Sequence, residues 1–293
     1  MPYVLRPAQP TDNDALAAFG VILDPPRKLT EADLFVYPSS ETWLAERGGT
    51  IEAAMRLCYS SLSGHALLTD LCGDPNAVRP LASELIRIAQ GRGAHTVEAA
   101  TPSDAPLIAP LAELGLDGYR RVVHIVWQLP SPAPGEPPDG VRVMEEVPDP
   151  DEYARLAVEA YRGTWDWLFE RWGGDVAARR NFARLFESPR GERFYAARSA
   201  QGVLMGFTSY GNPETVPGDF STFGVLVRPA DRGQGIGRHL LLTALQQLHL
   251  QGSQRVHMHT TAPPQKDPSA VLLYLGSGGE RVEDILILRL ASY

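Results

Sequence analysis

Residues 225 to 238 read Val-Leu-Val-Arg-Pro-Ala-Asp-Arg-Gly-Gln-Gly-Ile-Gly-Arg, with glycines at 233, 235 and 237 closely spaced between an apolar run and a longer amphipathic one. Glycine allows the backbone to approach a ligand closely and to take conformations closed to other residues. The first amides of a helix have no intrahelical acceptor and point toward negative charge. A strand entering such a loop and leaving it as a helix is an anion cradle suited to a diphosphate. Arg232 and Arg238 add positive charge to it. Pro229 has no ladder donor, which fits a strand end that splays away from its neighbour and leaves backbone groups for a ligand. The plain alternative is a glycine loop that only tightens a strand-to-helix turn.

The elements that must position this loop follow from periodicity. In the second half, the pattern predicts strands at Val141 to Met144, Arg193 to Arg198, Val203 to Tyr210, Ser221 to Val227, Arg255 to Thr260 and Val282 to Leu290. Helices are predicted at Asp149 to Tyr161, Asp175 to Phe186, Ile236 to Leu250 and Pro268 to Tyr274. The first half repeats this order, with a helix at Val78 to Gln90 after a strand at His65 to Cys72. Between the halves lies Pro130 to Gly140, PSPAPGEPPDG, whose prolines block helix and central strand. The expected organisation is a first domain at 1–129, a linker at 130–140 and a second domain at 141–293, both domains mixed α/β (α+β, mixed sheet).

Composition sets the bounds. At 293 residues two cores are the first expectation. A net charge of −8 argues against a nucleic-acid-binding surface. Two cysteines, Cys58 and Cys72, are too few for a disulfide framework and lack the spacing of a zinc site, so no metal is expected. No apolar stretch approaches the roughly 20 residues that span a bilayer, and no signal-type apolar run opens the sequence. The expectation is a cytoplasmic chain without membrane or nucleic-acid partners.

Val227-x-Pro229-x-x-Arg232-Gly233-x-Gly235-x-Gly237 is similar to the acetyl-CoA signature of GNAT-superfamily N-acetyltransferases. It differs from a dinucleotide fingerprint, whose glycines follow the first strand of the domain. The resemblance implies two tandem GNAT acyl-CoA N-acyltransferase folds, with acetyl-CoA as cosubstrate and a small-molecule amine as acceptor. By the same resemblance Val225, Leu226 and Val227 lie beside the pantetheine arm, and Arg232, Gly233, Gln234, Gly235, Ile236, Gly237 and Arg238 hold the pyrophosphate. Downstream, Asp267, Ala270 and Tyr274 stand where the family has an asparagine, a small residue and a tyrosine. The resemblance makes Asp267 a cofactor contact and Tyr274 the acid that protonates the departing thiolate. Asp267 in place of asparagine, and Gly279 where an aromatic follows Gly278, depart from the pattern.

His257 and His259 alternate on one strand, share a face, and are the candidates for the base. Packing against a helix is the alternative for both. Glu214 and Asp219 are weaker candidates. The acceptor pocket of the family falls here on Tyr161 to Trp172, where Tyr161, Trp165, Trp167 and Trp172 are candidate walls, with Phe169 among them. The same aromatics could equally be core. In the first half the strand at 65–72 leads into Gly73-Asp74-Pro75-Asn76, with one glycine and an added acid, so that copy is expected to be degenerate. The layout resembles tandem, mycothiol-synthase-like acetyltransferases. An acyl-CoA-binding protein that senses or scaffolds without catalysis is the alternative, and a peptide-bond-forming relative using aminoacyl-tRNA is a weaker one.

Overall fold

The computed structural model describes residues 2–21, 39–60, 64–163, 169–170, 172–187, 192–210 and 224–290. The chain forms two compact units, Met1–Arg121 with Ile285–Tyr293, and Val122–Asp284. In the first unit, strands β1 (Val4–Pro7), β2 (Ser39–Arg47), β3 (Thr50–Ser60) and β4 (His65–Gly73) run antiparallel in sequence order. β4 then pairs in parallel with β5 (Thr96–Pro102) over His65 to Leu68. The end of the last strand, β12 (Glu280–Leu290), pairs antiparallel with β5, Ile285 opposite Pro102 and Arg289 opposite Glu98.

After a short helix α1 (Asn13–Ala17), the main helix of this unit is α2 (Pro75–Gly91). It begins earlier than apolar periodicity predicts, because the Asp74 carboxylate accepts from Asn76 N–H at 2.8 Å and caps the first turn. Val78, Leu81 and Leu85 then bury against Met55, Leu57, Leu68 and Val97 of the sheet. A short helix α3 (Ile108–Ala112) leads to β6 (Leu116–Gln128), whose residues from Val122 onward lie in the second unit.

In the second unit β7 (Val141–Glu145), β8 (Arg193–Ser199), β9 (Leu204–Tyr210) and β10 (Val225–Val227) form one antiparallel sheet in the order β10-β9-β8-β7. β9 is buried at every position, as a central strand should be. Helices α4 (Pro150–Tyr161) and α5 (Asp175–Glu187) pack Tyr153, Phe182 and Phe186 onto Phe194 and Phe207 of this sheet. Helix α6 (Ile236–Leu250) and helix α7 (Ser269–Gly276) bury Leu241, Leu245, Val271 and Tyr274 with Val256 and Met258 of β11 (Arg255–Ala262) and with Ile125 and Trp127 of β6.

The proline-rich segment, read from the sequence as a linker between domains 1–129 and 141–293, is held at both of its ends. Residues 130–140 lie inside the second unit. Leu129 N–H donates to the Gln254 carbonyl at 2.8 Å just before the segment, and Val141 N–H donates to the Pro138 carbonyl just after it begins β7. Prolines keep their carbonyls, and those of Pro134 and Glu136 meet the buried His239 ring on α6. The two compact units are divided between Arg121 and Val122 and between Asp284 and Ile285.

Candidate active site

Two strands in the second unit separate to make the site. β10 is an edge of its sheet, and β11 is the edge of another, hydrogen-bonded to β6. The last ladder bond of β10 runs from Arg228 N–H to the Met205 carbonyl at 2.8 Å. Pro229 then starts a 3-10 turn, Pro229–Asp231, where Asp231 holds Arg228 Nε at 2.6 Å. Alternation turns the backbone groups of Val225 and Val227 away from β9. Among them, Val225 N–H donates to the Tyr274 hydroxyl at 3.2 Å and the Val227 carbonyl accepts from Arg232 Nε at 3.2 Å. The Val225 carbonyl and Val227 N–H have no partner among the described residues.

The loop that follows has the predicted form. Gly233 and Gly235 take φ of +78° and +83°, and Gly235 is the left-handed N-cap of α6 with no side chain capping it. Among the described residues, none of the six amides from Gly233 to Arg238 donates to a protein acceptor; the first such bond is from His239 to the Gly235 carbonyl. Six unsatisfied donors at a helix N-terminus form a preorganised anion site. Gly237 is needed for packing as well, since a Cβ there would stand 3.2 Å from Leu273 Cδ2.

The loop, β10 and the end of β11 line a cavity of about 320 Å³ with α7. Val225, Leu226, Val227, Arg232, Gly233, Gly235, Ile236, Gly237 and Arg238 all reach it. Gln234 is exposed in the same loop. Arg232 is not a loose cation: its Nη2 also donates to the Ala160 carbonyl at 2.7 Å, tying the loop to the C-terminal end of α4. Arg238 is exposed and makes no side-chain bond among the described residues.

Tyr274 lies at the inner end of the cavity, 3% exposed, with its ring edge-on to Trp127 at 5.7 Å. Burial raises its pKa, opposed by the hydrogen bond from Val225 N–H, to about 12. The hydroxyl is therefore protonated and, having accepted one bond, is free to donate its proton into the cavity. Gly224 is the residue that sequence reading missed here. Its φ is +67°, and a Cβ would fall 2.7 Å from the Tyr274 oxygen.

The other predicted residues separate. Asp267 does not line the cavity; its carboxylate bonds Arg281. Gly279 lacks its aromatic because the space is taken: a Cβ would meet Ile125 Cγ2 at 2.6 Å and Trp127 Cε2 at 2.9 Å. His259 lines the cavity and His257 does not, while Met258 between them faces the core. Tyr161 lines the cavity and stacks on Phe182, and burial, then Tyr274 and Glu192, hold its pKa well above the usual phenol range. Trp172 and Phe169 instead pack edge-on against Phe182, as core. Trp165, Trp167, Glu214 and Asp219 lie outside the described residues.

In the first unit the corresponding helix start is closed by Asp74, a carboxylate where the second unit has open amides.

These features have counterparts in known proteins. Residues 156–272 match the profile of the Acetyltransferase (GNAT) family. Relatives called mycothiol acetyltransferase are 30% identical over 191 residues in Saccharomonospora viridis and 31% over 175 in Tsukamurella paurometabola. The matches cover 61% and 53% of this chain, and span only 60% and 58% of those two relatives. One from Thermobispora bispora is 29% identical over 289 residues, covering 93% of this chain and 94% of the relative. Among solved structures, a GCN5-related N-acetyltransferase from Sphaerobacter thermophilus has a TM-score of 0.59 at 19% identity, covering 98% of this chain and 95% of the other. A tandem GNAT protein from the clavulanic acid biosynthesis pathway has a TM-score of 0.53 at 20% identity over 98% of both chains. Residues 156–272 of the chain thus match the Acetyltransferase (GNAT) family, and the whole chain has the fold of a tandem GNAT protein.

Proposed function

We propose that this protein is an acetyl-CoA-dependent N-acetyltransferase that acts on the amine of a small molecule, with the cosubstrate held in the second unit and the first unit a degenerate copy of the same fold. The observation that carries this reading is the set of six unpaired amides from Gly233 to Arg238 opening onto the cavity that contains Tyr274. Those amides, with Arg238 beside them, suit a pyrophosphate. The Val225 carbonyl and Val227 N–H suit the amide groups of a pantetheine arm, which can pair with them as a further strand would.

Acetyl-CoA supplies an activated thioester carbonyl. The protein's own part is to bring an amine to it, remove a proton from that amine and return one to sulfur. Both Tyr274 and His259 line the cavity, which supports assigning the second task to Tyr274 and the first to His259. His257 serves the base only indirectly, since it does not reach the cavity. Tyr161 is the member of the aromatic segment assigned to the acceptor side. The relatives called mycothiol acetyltransferase make a mycothiol-type amine the first acceptor to assay. The reaction is assigned to the cytoplasm; among the described residues no helix is long and apolar enough to cross a membrane.

Calorimetric titration with acetyl-CoA tests the site. Binding is expected in the wild type and its loss in Gly235→Asp and in Gly237→Asp, because each adds a negative charge where the diphosphate should sit. Tight binding that survives both changes would refute the site. The engagement of Asp267 by Arg281, away from the cavity, favours a second reading in which the CoA site is kept for sensing or scaffolding. Stabilisation by CoA with no transfer across a panel of amines would select it.

A further inference from the structure

One sheet face of the second unit brings an imidazole of one strand beside two of another, distant in sequence. His124 stands on β6, and His257 and His259 stand two residues apart on the neighbouring β11. His124 Nε2 and His257 Nδ1 are 3.0 Å apart and share a hydrogen bond. The His259 ring stacks on that of His124, with centroids 4.2 Å apart and planes inclined by 21°. His124 Nδ1 faces the Glu283 carboxylate of β12 at 4.0 Å. Among the described residues no three such side chains are disposed to hold a metal ion, so the proton is the ligand to consider.

A hydrogen bond between two imidazoles requires one N–H and one lone pair, and therefore selects tautomers. When His124 Nδ1 carries its proton toward Glu283, Nε2 accepts from His257 Nδ1–H and His257 Nε2 keeps a lone pair. His259 is stacked rather than hydrogen-bonded, so its nitrogens remain available where the residue meets the cavity. Burial first, then the neighbouring His259 and His257, lower the pKa of His124; Arg255 acts in the same sense and Glu283 against it. His124 is thus held toward its neutral form beneath the His259 ring.

Acetylation of an ammonium group breaks two N–H bonds and the C–S bond, and forms an N–C bond and an S–H bond. One proton per turnover must leave the cavity. Resting on the acetyltransferase reading above, we infer that His124 is a positioning residue: it holds His259 at the cavity wall and, with Glu283 as counter-charge, makes the three histidines one acceptor for that proton.

The test uses the full chain as wild type, His124→Ala, His124→Phe and Glu283→Gln, with steady-state rates measured across the imidazole range and histidine Cε1–H resonances titrated by NMR on the same samples. His124→Ala should lower kcat about tenfold or more, toward the loss typical of a disturbed general base, with the acetyl-CoA KM unchanged. His124→Phe keeps a stacking face and should recover part of that loss. Glu283→Gln removes a charge that favours imidazolium, so the cluster releases its proton more readily. Its acid limb should move to lower pH, and the His124 resonance with it. Rates and pH profiles in His124→Ala and Glu283→Gln that superimpose on the wild type overturn the positioning role and leave the acetyltransferase reading standing. Acetyl-CoA binding by the wild type without transfer to any amine overturns both.

Discussion

Tyr274 meets two demands at one oxygen. The hydroxyl accepts Val225 N–H and so helps to fix the start of β10, and its own proton remains available on the cavity side. A pKa of about 12, set first by burial, keeps that proton in place, as the proposed role of acid to a departing thiolate requires. Tyr274→Phe removes both functions. We expect kcat to fall about 100-fold, within the usual range for a general acid. Acetyl-CoA affinity should change little, because the diphosphate contacts are elsewhere. Leaving Val225 N–H without its acceptor should cost about 1 kcal/mol of stability. Rate, calorimetric affinity and urea midpoint measured on one preparation separate these effects, and an unchanged kcat with a verified acceptor removes Tyr274 from the mechanism. Gly224 belongs to the same geometry, since any side chain there would displace the phenol oxygen.

At the scale of elements, the strand–loop–helix passage from β10 to α6 was legible in the sequence because its physics is local. Glycines take the left-handed conformations, a proline ends the ladder, and the helix begins with unpaired amides. What β6 contributes was not legible. His124 and Trp127 sit more than a hundred residues before the strand and helix they touch, and no local pattern marks either as part of the site. Gly279 shows the consequence. In the sequence it reads as the loss of a family aromatic, whereas in the fold Trp127 and Ile125 occupy the space where a side chain would go. Likewise the aromatic segment after Tyr161 could not be assigned to core or pocket by composition; Phe182 on α5 decides it, drawing Phe169 and Trp172 inward. At the corner between α7 and β12, even Gly279→Ala is therefore disruptive. With contacts of 2.6 to 2.9 Å to Ile125, Trp127 and the Tyr274 carbonyl, it should cost about 2 kcal/mol, in the usual range for overpacking. It should also lower kcat by moving Tyr274. A thermal midpoint and rate equal to wild type would show that the corner relaxes freely.

At the scale of the whole molecule, the two units differ at the start of their main sheet-packed helices. Where the second unit leaves amides open at the start of α6, the first caps the start of α2 with Asp74, so its helix terminus is satisfied by the chain itself. The first unit's distinctive chemistry is instead a buried ion cluster. Glu98, 1% exposed, is held by Arg289 at 2.8 Å, Arg120 at 3.1 Å and His65 at 3.4 Å. Burial raises the Glu98 pKa, but His65, Arg120 and Arg289 together overcome it and bring the value down to about 2. A carboxylate whose folded pKa lies below its unfolded one contributes stability in full above the unfolded value, near 4.5, and loses it as pH falls toward 2. Acid should therefore weaken this unit between those two values. Glu98→Gln leaves two arginines facing a neutral amide, a change for which about 3 kcal/mol of destabilisation at neutral pH is expected. In the wild type the stability curve should slope steeply through the acid window, and in Glu98→Gln it should be flatter there. Acetyl-CoA affinity, measured below the unfolding transition, should be the same in both, because the first unit supplies none of the residues assigned to that ligand. Parallel acid slopes in the two proteins would show that Glu98 is not the group that titrates, and a large loss of affinity in the variant would show that the first unit contributes to binding after all.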